Sequence, residues 1–230
     1  MNWSEKYRPE TFTEISGHRE ALTQIEGFIL SGDIPHLLFY GEPGTCKTTI
    51  AGIIANKLLG DNHNGNFIEL NASDERKIED MRKIVIRAIK HMPLFAKMKI
   101  ILFDEADGLT KEAQDILKRP MEKTKNTLFI FTCNNPDAII KPIKSRCAVF
   151  EFNPLSDTEI VEGLKRIAGK ENLSIDDSTL QGIARKVKGD MRSAVNELQK
   201  VAASNNRNSE IDRIVQQYMK QPATAGGIIG

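Results

Sequence analysis

Gly41-Glu42-Pro43-Gly44-Thr45-Cys46-Lys47-Thr48-Thr49 follows a short apolar run, Leu37–Tyr40, and precedes a strongly helix-forming run that reaches Leu59. A strand, a glycine-bearing loop and a helix, in that order, are what a phosphate-binding loop requires. N–H groups at a helix N-terminus lack intrahelical partners and carry partial positive charge, so residues 41–49 can surround a phosphate. Lys47 adds a full charge directed at the β- and γ-phosphates, and the Thr48 hydroxyl is placed to ligate Mg²⁺. One position departs from G-x-x-x-x-G-K-[ST]: Cys46 stands where the pattern has glycine. Two outcomes stay open. Backbone strain at Cys46 weakens nucleotide binding by about 1–3 kcal/mol, or the loop relaxes around the thiol. In the second case the helix terminus and Lys47 favour an oxidation-sensitive thiolate.

Working outward, apolar runs recur at Asn66–Leu70, Lys99–Phe103, Leu128–Thr132 and Ala148–Phe152, which with Leu37–Tyr40 predict five strands. Helical candidates at about 18–31, 47–59, 74–92 and 111–123 alternate with them, as in a parallel sheet covered on both faces. After Asn153-Pro154 the period changes. Asp157–Gly169, Asp176–Val187 and Met191–Ala203 carry apolar residues at helical spacing, with Ser156, Ser174/Asp176 and Gly189-Asp190 as caps and punctuation. The expected organisation is an α/β domain over residues 1–153, a small all-α domain over 154–219 and a disordered tail over 220–230.

The third strand ends in Asp104-Glu105-Ala106-Asp107. Ligands of a parallel sheet bind beyond the carboxyl ends of its strands, so Asp104 should face the same crevice as the phosphate loop. Asp104 would hold Mg²⁺ through water, and Glu105 would polarise the water attacking the γ-phosphate. Asn134, after the next strand, either orients that water or simply forms a turn before Pro136.

Composition bounds these readings. With 40% hydrophobic and 27% charged residues in 230, the chain is neither disordered nor fibrous. Its longest apolar runs are too short to span a membrane, and the opening MNWSEKYRPE carries no secretory h-region, so residence inside the cell is expected. Cys46, Cys133 and Cys147 lack CxxC or Cys/His spacing, which argues against a disulfide framework or a zinc site. The formal charge is +1, yet residues 75–146 hold 16 Lys/Arg against 10 Asp/Glu, and the remainder is acidic. In the helix after Asp74, Arg76, Lys83, Arg87 and Lys90 share one arc, with Ile78, Val85, Ile89 and Met92 opposite. The basic face is either solvated or a surface for nucleic-acid phosphates.

The phosphate loop, Asp104-Glu105-Ala106-Asp107, Cys133-Asn134 and Ser145-Arg146-Cys147 occur in the order of an AAA+ ATPase. With Glu5-Lys6-Tyr7-Arg8-Pro9 and Asn71-Ala72-Ser73-Asp74-Glu75-Arg76 they resemble the small subunits of replication factor C, the sliding-clamp loader, most nearly archaeal ones. The resemblance covers about residues 3–205. It implies a five-stranded parallel P-loop core followed by a helical lid, with ATP and Mg²⁺ as cofactors. The implied partners are a replication factor C large subunit, other small subunits, a PCNA-like sliding clamp and primer-template DNA; no membrane is implied. The implied location is cytoplasmic and nucleoid-associated in an archaeon, or nuclear in a eukaryote.

By the same resemblance, Arg146 reaches ATP held by a neighbouring subunit, Arg192 of Gly189-Asp190-Met191-Arg192 contacts nucleotide phosphates, and Tyr7 and Arg8 line the adenine pocket. Arg82 matches a DNA-contact position, with Lys83 and Lys111 as further candidates. Unaided, Arg146 reads as one cation of a Lys141/Lys144/Arg146 cluster, and Tyr7-Arg8-Pro9 as an extended segment. Two departures stand out besides Cys46. Lys118-Arg119-Pro120-Met121-Glu122 puts proline where the family has Arg-Arg-Thr-Met-Glu, which predicts a kinked helix. No segment corresponds to the family's helical collar. The alternatives to a clamp-loader ATPase are a subunit that binds DNA without turning over ATP, and another AAA+ DNA motor such as a branch-migration helicase.

Overall fold

The computed structural model describes residues 2–72 and 78–204, with 78–82 described in their backbone alone. Ser73–Arg76 of the Asn-Ala-Ser-Asp-Glu-Arg segment, the side chain of Arg82 and the expected disordered tail lie outside the described residues.

Five strands, β1 (His36–Gly41), β2 (Phe67–Asn71), β3 (Lys99–Asp104), β4 (Thr127–Cys133) and β5 (Cys147–Phe152), form one parallel sheet in the order β2-β3-β4-β1-β5. Side chains alternate across it, and both faces are covered, which explains why β3 and β4 are apolar without interruption. After the short α1 (Trp3–Lys6), the helices α2 (Arg19–Ser31) and α3 (Lys47–Leu59) pack on one face with Leu37, Phe39, Ile100, Leu102, Leu128 and Ile130. Leu38, Ile101, Phe103, Phe129 and Phe131 pack on the other with α4 (Ile78–Lys90) and α5 (Lys111–Lys123). Phe103 stacks between Phe129 and Phe131.

Register brings the site together. Tyr40 pairs with Cys133 and Asn71 with Asp104, so Gly41, Asp104 and Cys133 leave the sheet along one edge. β1 lies between β4 and β5, so the chain reverses its direction of travel across the sheet beside it. That reversal opens a crevice at the carboxyl ends of the strands.

α4 exposes Lys83, Arg87 and Lys90; of the apolar positions expected opposite them Val85 is buried and Ile89 half-buried, and Ala88 is buried as well. Met92 does not join the buried face: the helix stops at Lys90, and Met92 is 76% exposed. α5 runs without interruption through the buried Pro120 to Lys123. The proline ring removes the donor to the Ile116 carbonyl, but Thr124 closes the last turn on the Pro120 carbonyl through its amide (3.0 Å) and its hydroxyl (2.7 Å).

The short α6 (Lys141–Lys144) belongs to the core, and three lid helices follow β5: α7 (Asp157–Lys170), α8 (Asp177–Val187) and α9 (191–204) share a separate apolar centre of Ile160, Leu164, Leu180, Ile183, Ala194 and Leu198. Ser156 and Glu159 form a capping box on α7, and Asp176 caps α8. The beginning of the chain also packs here. Trp3 and Tyr7 lie against the lid's apolar centre, and the segment is tied down by polar contacts spread along its length. The Trp3 amide donates to Gln199 Oε1 (3.0 Å), Lys6 pairs with Glu171 (2.6 Å), Glu14 pairs with Lys170 (3.3 Å), and Arg166 donates to Ser16 Oγ (2.6 Å).

Candidate active site

A cleft of about 400 Å³ lies between the sheet edge, the lid and the N-terminal segment. Gly44–Thr49, Asp104, Glu105 and Asn134 line its floor, and Tyr7, Arg8, Arg166, Met191 and Arg192 its upper walls.

The phosphate loop is held by its own side chains. Thr45 Oγ1 donates to the Glu42 carbonyl (2.8 Å), and Lys47 Nζ donates to the carbonyls of Gly41 (2.7 Å) and Glu42 (2.8 Å) and to Asn134 Oδ1 (3.3 Å). Lys47 is 8% exposed, and burial lowers its pKa from the ordinary lysine value, although Asp104 and Asp107 favour its charged form. An anion entering the loop therefore meets an ammonium already stripped of most of its water. Pro43 is exposed at the cleft mouth, and Thr49 accepts from Arg8 Nε at 3.3 Å, which ties the N-terminal segment to α3.

Gly44 must be glycine for two reasons. Its φ is +77°, and a Cβ there would lie 1.9 Å from Asp190 Oδ1. The lid rests on this point, because the Met191 amide donates to the Gly44 carbonyl at 3.2 Å and Ser193 holds the Asp190 carboxylate through its amide (3.0 Å) and hydroxyl (2.7 Å).

Cys46 adopts φ +69° and ψ 13°, the left-handed conformation that suits glycine. The strain is thus present before any ligand arrives and falls on folding, where a left-handed non-glycine residue costs about 1–2 kcal/mol. The thiolate expectation is overturned. Burial pushes the Cys46 thiol up to about 11, outweighing the attraction of Arg192, Arg8 and Lys47. Cys133 and Cys147 are likewise neutral, both pushed up to about 12 by burial. Cys46→Gly relieves the strain but loosens the unfolded chain, which offsets part of the gain. It is expected to raise the melting temperature by about 2–4 °C, as about 1 kcal/mol does in a chain of this size, and to change nucleotide affinity less than threefold. Calorimetric unfolding and titration with ATP measure the two effects.

Asp104 Oδ1 accepts from Thr48 Oγ1 at 2.7 Å and from the Thr132 hydroxyl. Thr48 and Asp104 thereby present hard oxygen donors side by side next to the phosphate loop, a set that suits Mg²⁺. Among the described residues there is no group of three or more His, Cys, Asp or Glu able to hold a metal ion. A cation between Thr48 and Asp104 would thus complete its shell with water and phosphate oxygens, as Mg²⁺ does in nucleotide sites. Glu105 is exposed with φ +54°, and its amide donates to Thr132 Oγ1 at 3.2 Å. Asp107 accepts from the amides of Asn134 and Asn135, both at 3.1 Å, and so fixes the turn that carries Asn134.

Arg146 is set apart. It pairs with Glu122 of α5 and donates to the Pro142 carbonyl (2.5 Å), and it does not line the cleft. Lys83 and Lys111 are exposed at α4 and at the first turn of α5. The Tyr7 hydroxyl bonds Glu171 of the lid. Sequence reading assigns Thr132, Asp107 and Glu171 no role at the site, although Asp107 belongs to the acidic run and Thr132 is a hydroxyl at the end of the otherwise apolar Leu128–Phe131; Asp190, read as punctuation before the last helix, caps it through Ser193.

Comparison with known proteins agrees with this geometry. The family model described as "ATPase family associated with various cellular activities (AAA)" matches residues 37–155, just over half of the chain. The "RCF1/5-like, AAA+ ATPase lid domain" matches residues 162–203. Replication factor C small subunits from Methanococcus maripaludis (46% identity over 203 residues), Methanocella arvoryzae (45% over 202) and Staphylothermus marinus (45% over 203) are similar over 87% of this chain. The chain spans 62–64% of the length of those relatives. Among solved structures, RuvB of Thermotoga maritima, a Holliday junction branch migration motor, superposes with a TM-score of 0.70 at 22% identity, over 86% of this chain and 65% of that one. At that identity the likeness establishes the fold. With a phosphate loop, an acidic strand end and a helical lid around one cleft, the chain belongs to the AAA family of nucleotide-binding ATPases.

Proposed function

We propose that this chain is a small subunit of a replication factor C clamp loader, which binds and hydrolyses ATP to place a sliding clamp on primer-template DNA. The observation that carries this reading is the 46% identity with a replication factor C small subunit over 203 residues, combined with a lid of the matching type. The RuvB likeness is one of fold and carries no argument for branch migration.

In this reading residues 41–49 and Arg192 hold the triphosphate, while Tyr7 and Arg8 border the base. Thr48 and Asp104 would hold Mg²⁺, partly through water; when bound, the ion neutralises charge on the β- and γ-phosphate oxygens. Glu105 accepts a proton from the attacking water, and Asn134 orients that water. Arg146, outside its own cleft, serves the nucleotide of a neighbouring subunit, where a guanidinium stabilises the charge of phosphoryl transfer. Its bond to Glu122 is then exchanged for one to phosphate on assembly. Lys83 and Lys111, with Arg82, contact DNA phosphates and supply affinity without reading sequence.

The test is ATP turnover by the chain mixed with a replication factor C large subunit, a sliding clamp and primed DNA. Turnover stimulated by clamp and DNA is expected. Arg146→Ala is expected to reduce it by about 10³-fold, in line with the worth of an arginine supplied in trans, without loss of ATP binding. Turnover indifferent to clamp, DNA and Arg146 would refute the reading.

A further inference from the structure

We propose that Thr132 is the positioning residue that sets Asp104 and Glu105 relative to each other, an inference that rests on the ATPase reading of this site. Thr132 is the last residue but one of the buried β4 strand and is 2% exposed. Its hydroxyl donates to Asp104 Oδ1 and accepts from the Glu105 amide at 3.2 Å. A hydroxyl has one proton and two lone pairs, so donation to the carboxylate fixes which way it can receive the amide. The same carboxylate oxygen takes the Thr48 hydroxyl at 2.7 Å.

One side chain of β4 thus bridges the carboxylate offered to the cation and the backbone of the residue offered to the attacking water. The backbone bond matters because Glu105 sits at φ +54°, a conformation that non-glycine residues rarely take. Glu105 leaves β3 at a sharp left-handed step, and the hydrogen bond from its backbone N–H to Thr132 Oγ1 holds that step in place. Without the hydroxyl, Asp104 keeps only Thr48 of its two hydroxyl donors, and the Glu105 amide loses this acceptor.

Thr132→Val keeps the branched shape that the strand packs around and removes the hydroxyl. In the assay with large subunit, clamp and primed DNA, it is expected to lower kcat about 10–100-fold, the scale of a misplaced reacting group. The Mg²⁺ concentration for half-maximal rate is expected to rise severalfold. ADP affinity measured in EDTA should stay within twofold, because the phosphate loop is untouched. Thr132→Ser, which restores the hydroxyl, is expected to recover turnover to within about threefold. Glu105→Gln is run beside them. If it abolishes turnover while Thr132→Val matches the natural chain, the role of Thr132 is overturned and the site reading stands. If Glu105→Gln leaves turnover intact, the site reading fails and takes the inference with it. A serine variant as impaired as the valine one, or a valine variant that loses ADP in EDTA, assigns Thr132 a purely structural role and also overturns the proposal.

Discussion

Glu105→Gln is expected to lower ATP turnover in the assembled complex by about 10²–10⁴-fold, the range of a lost general base, while ATP affinity stays within a few-fold. The amide is nearly isosteric with the carboxylate and cannot take a proton from water. Glu105 is exposed at the cleft rather than built into the core, and its backbone is anchored through the amide to Thr132, which the substitution leaves in place. Binding and catalysis should separate: single-turnover chemistry collapses, and bound ATP persists long enough to be recovered by rapid filtration. Parallel loss of affinity and rate would place Glu105 in binding instead.

Lys47→Met is expected to weaken ATP binding by about 30-fold to several thousandfold, since removing one partner of a buried charge pair costs about 2–5 kcal/mol and 1.4 kcal/mol is tenfold. The ligand-free protein should behave differently. Burial lowers the Lys47 pKa, so at neutral pH the folded chain carries an ammonium that its surroundings disfavour. The sign follows from linkage: a lysine whose folded pKa is depressed opposes folding wherever the group is protonated, and the penalty fades as pH rises toward the unfolded value. Methionine removes that penalty along with the bonds to Gly41, Glu42 and Asn134. The melting temperature without nucleotide is therefore expected to hold or rise, and the increase that ATP gives the natural chain should vanish. A drop in melting temperature without nucleotide would show that the three hydrogen bonds outweigh the buried charge.

The parallel sheet was legible because its strands are apolar on both faces and its helices are amphipathic, so the period changes at nearly every boundary. Ile100–Phe103 and Leu128–Phe131, apolar without a break, read as buried strands. The phosphate loop and the acidic pair were legible because their chemistry is local in sequence. Cys46 was half legible: glycine's absence signalled strain, but whether charge or burial governs the thiol depends on how deeply the lid covers it. Burial wins. Met92 was misread because periodicity does not mark where a helix stops, and α4 ends before it. Pro120 was expected to kink α5; the helix continues to Lys123, and Thr124 closes its last turn on the Pro120 carbonyl with two hydrogen bonds. Thr132, Asp107 and Asp190 act across strands or between core and lid, and no local pattern announces partners that are distant along the chain.

The fastening of the N-terminal segment to the lid governs how the cleft can work. Trp3, Lys6, Glu14 and Ser16 are moored to Gln199, Glu171, Lys170 and Arg166, while Arg8 holds Thr49 of α3 and Phe12 and Ile15 pack with the sheet, so the first residues fasten the last helices to the core. A nucleotide held as proposed would meet the N-terminal segment at its base, and the phosphate loop and Arg192 at its phosphates. An intact nucleotide would then bridge the phosphate loop and the fastened segment, a span that adenosine alone does not cover.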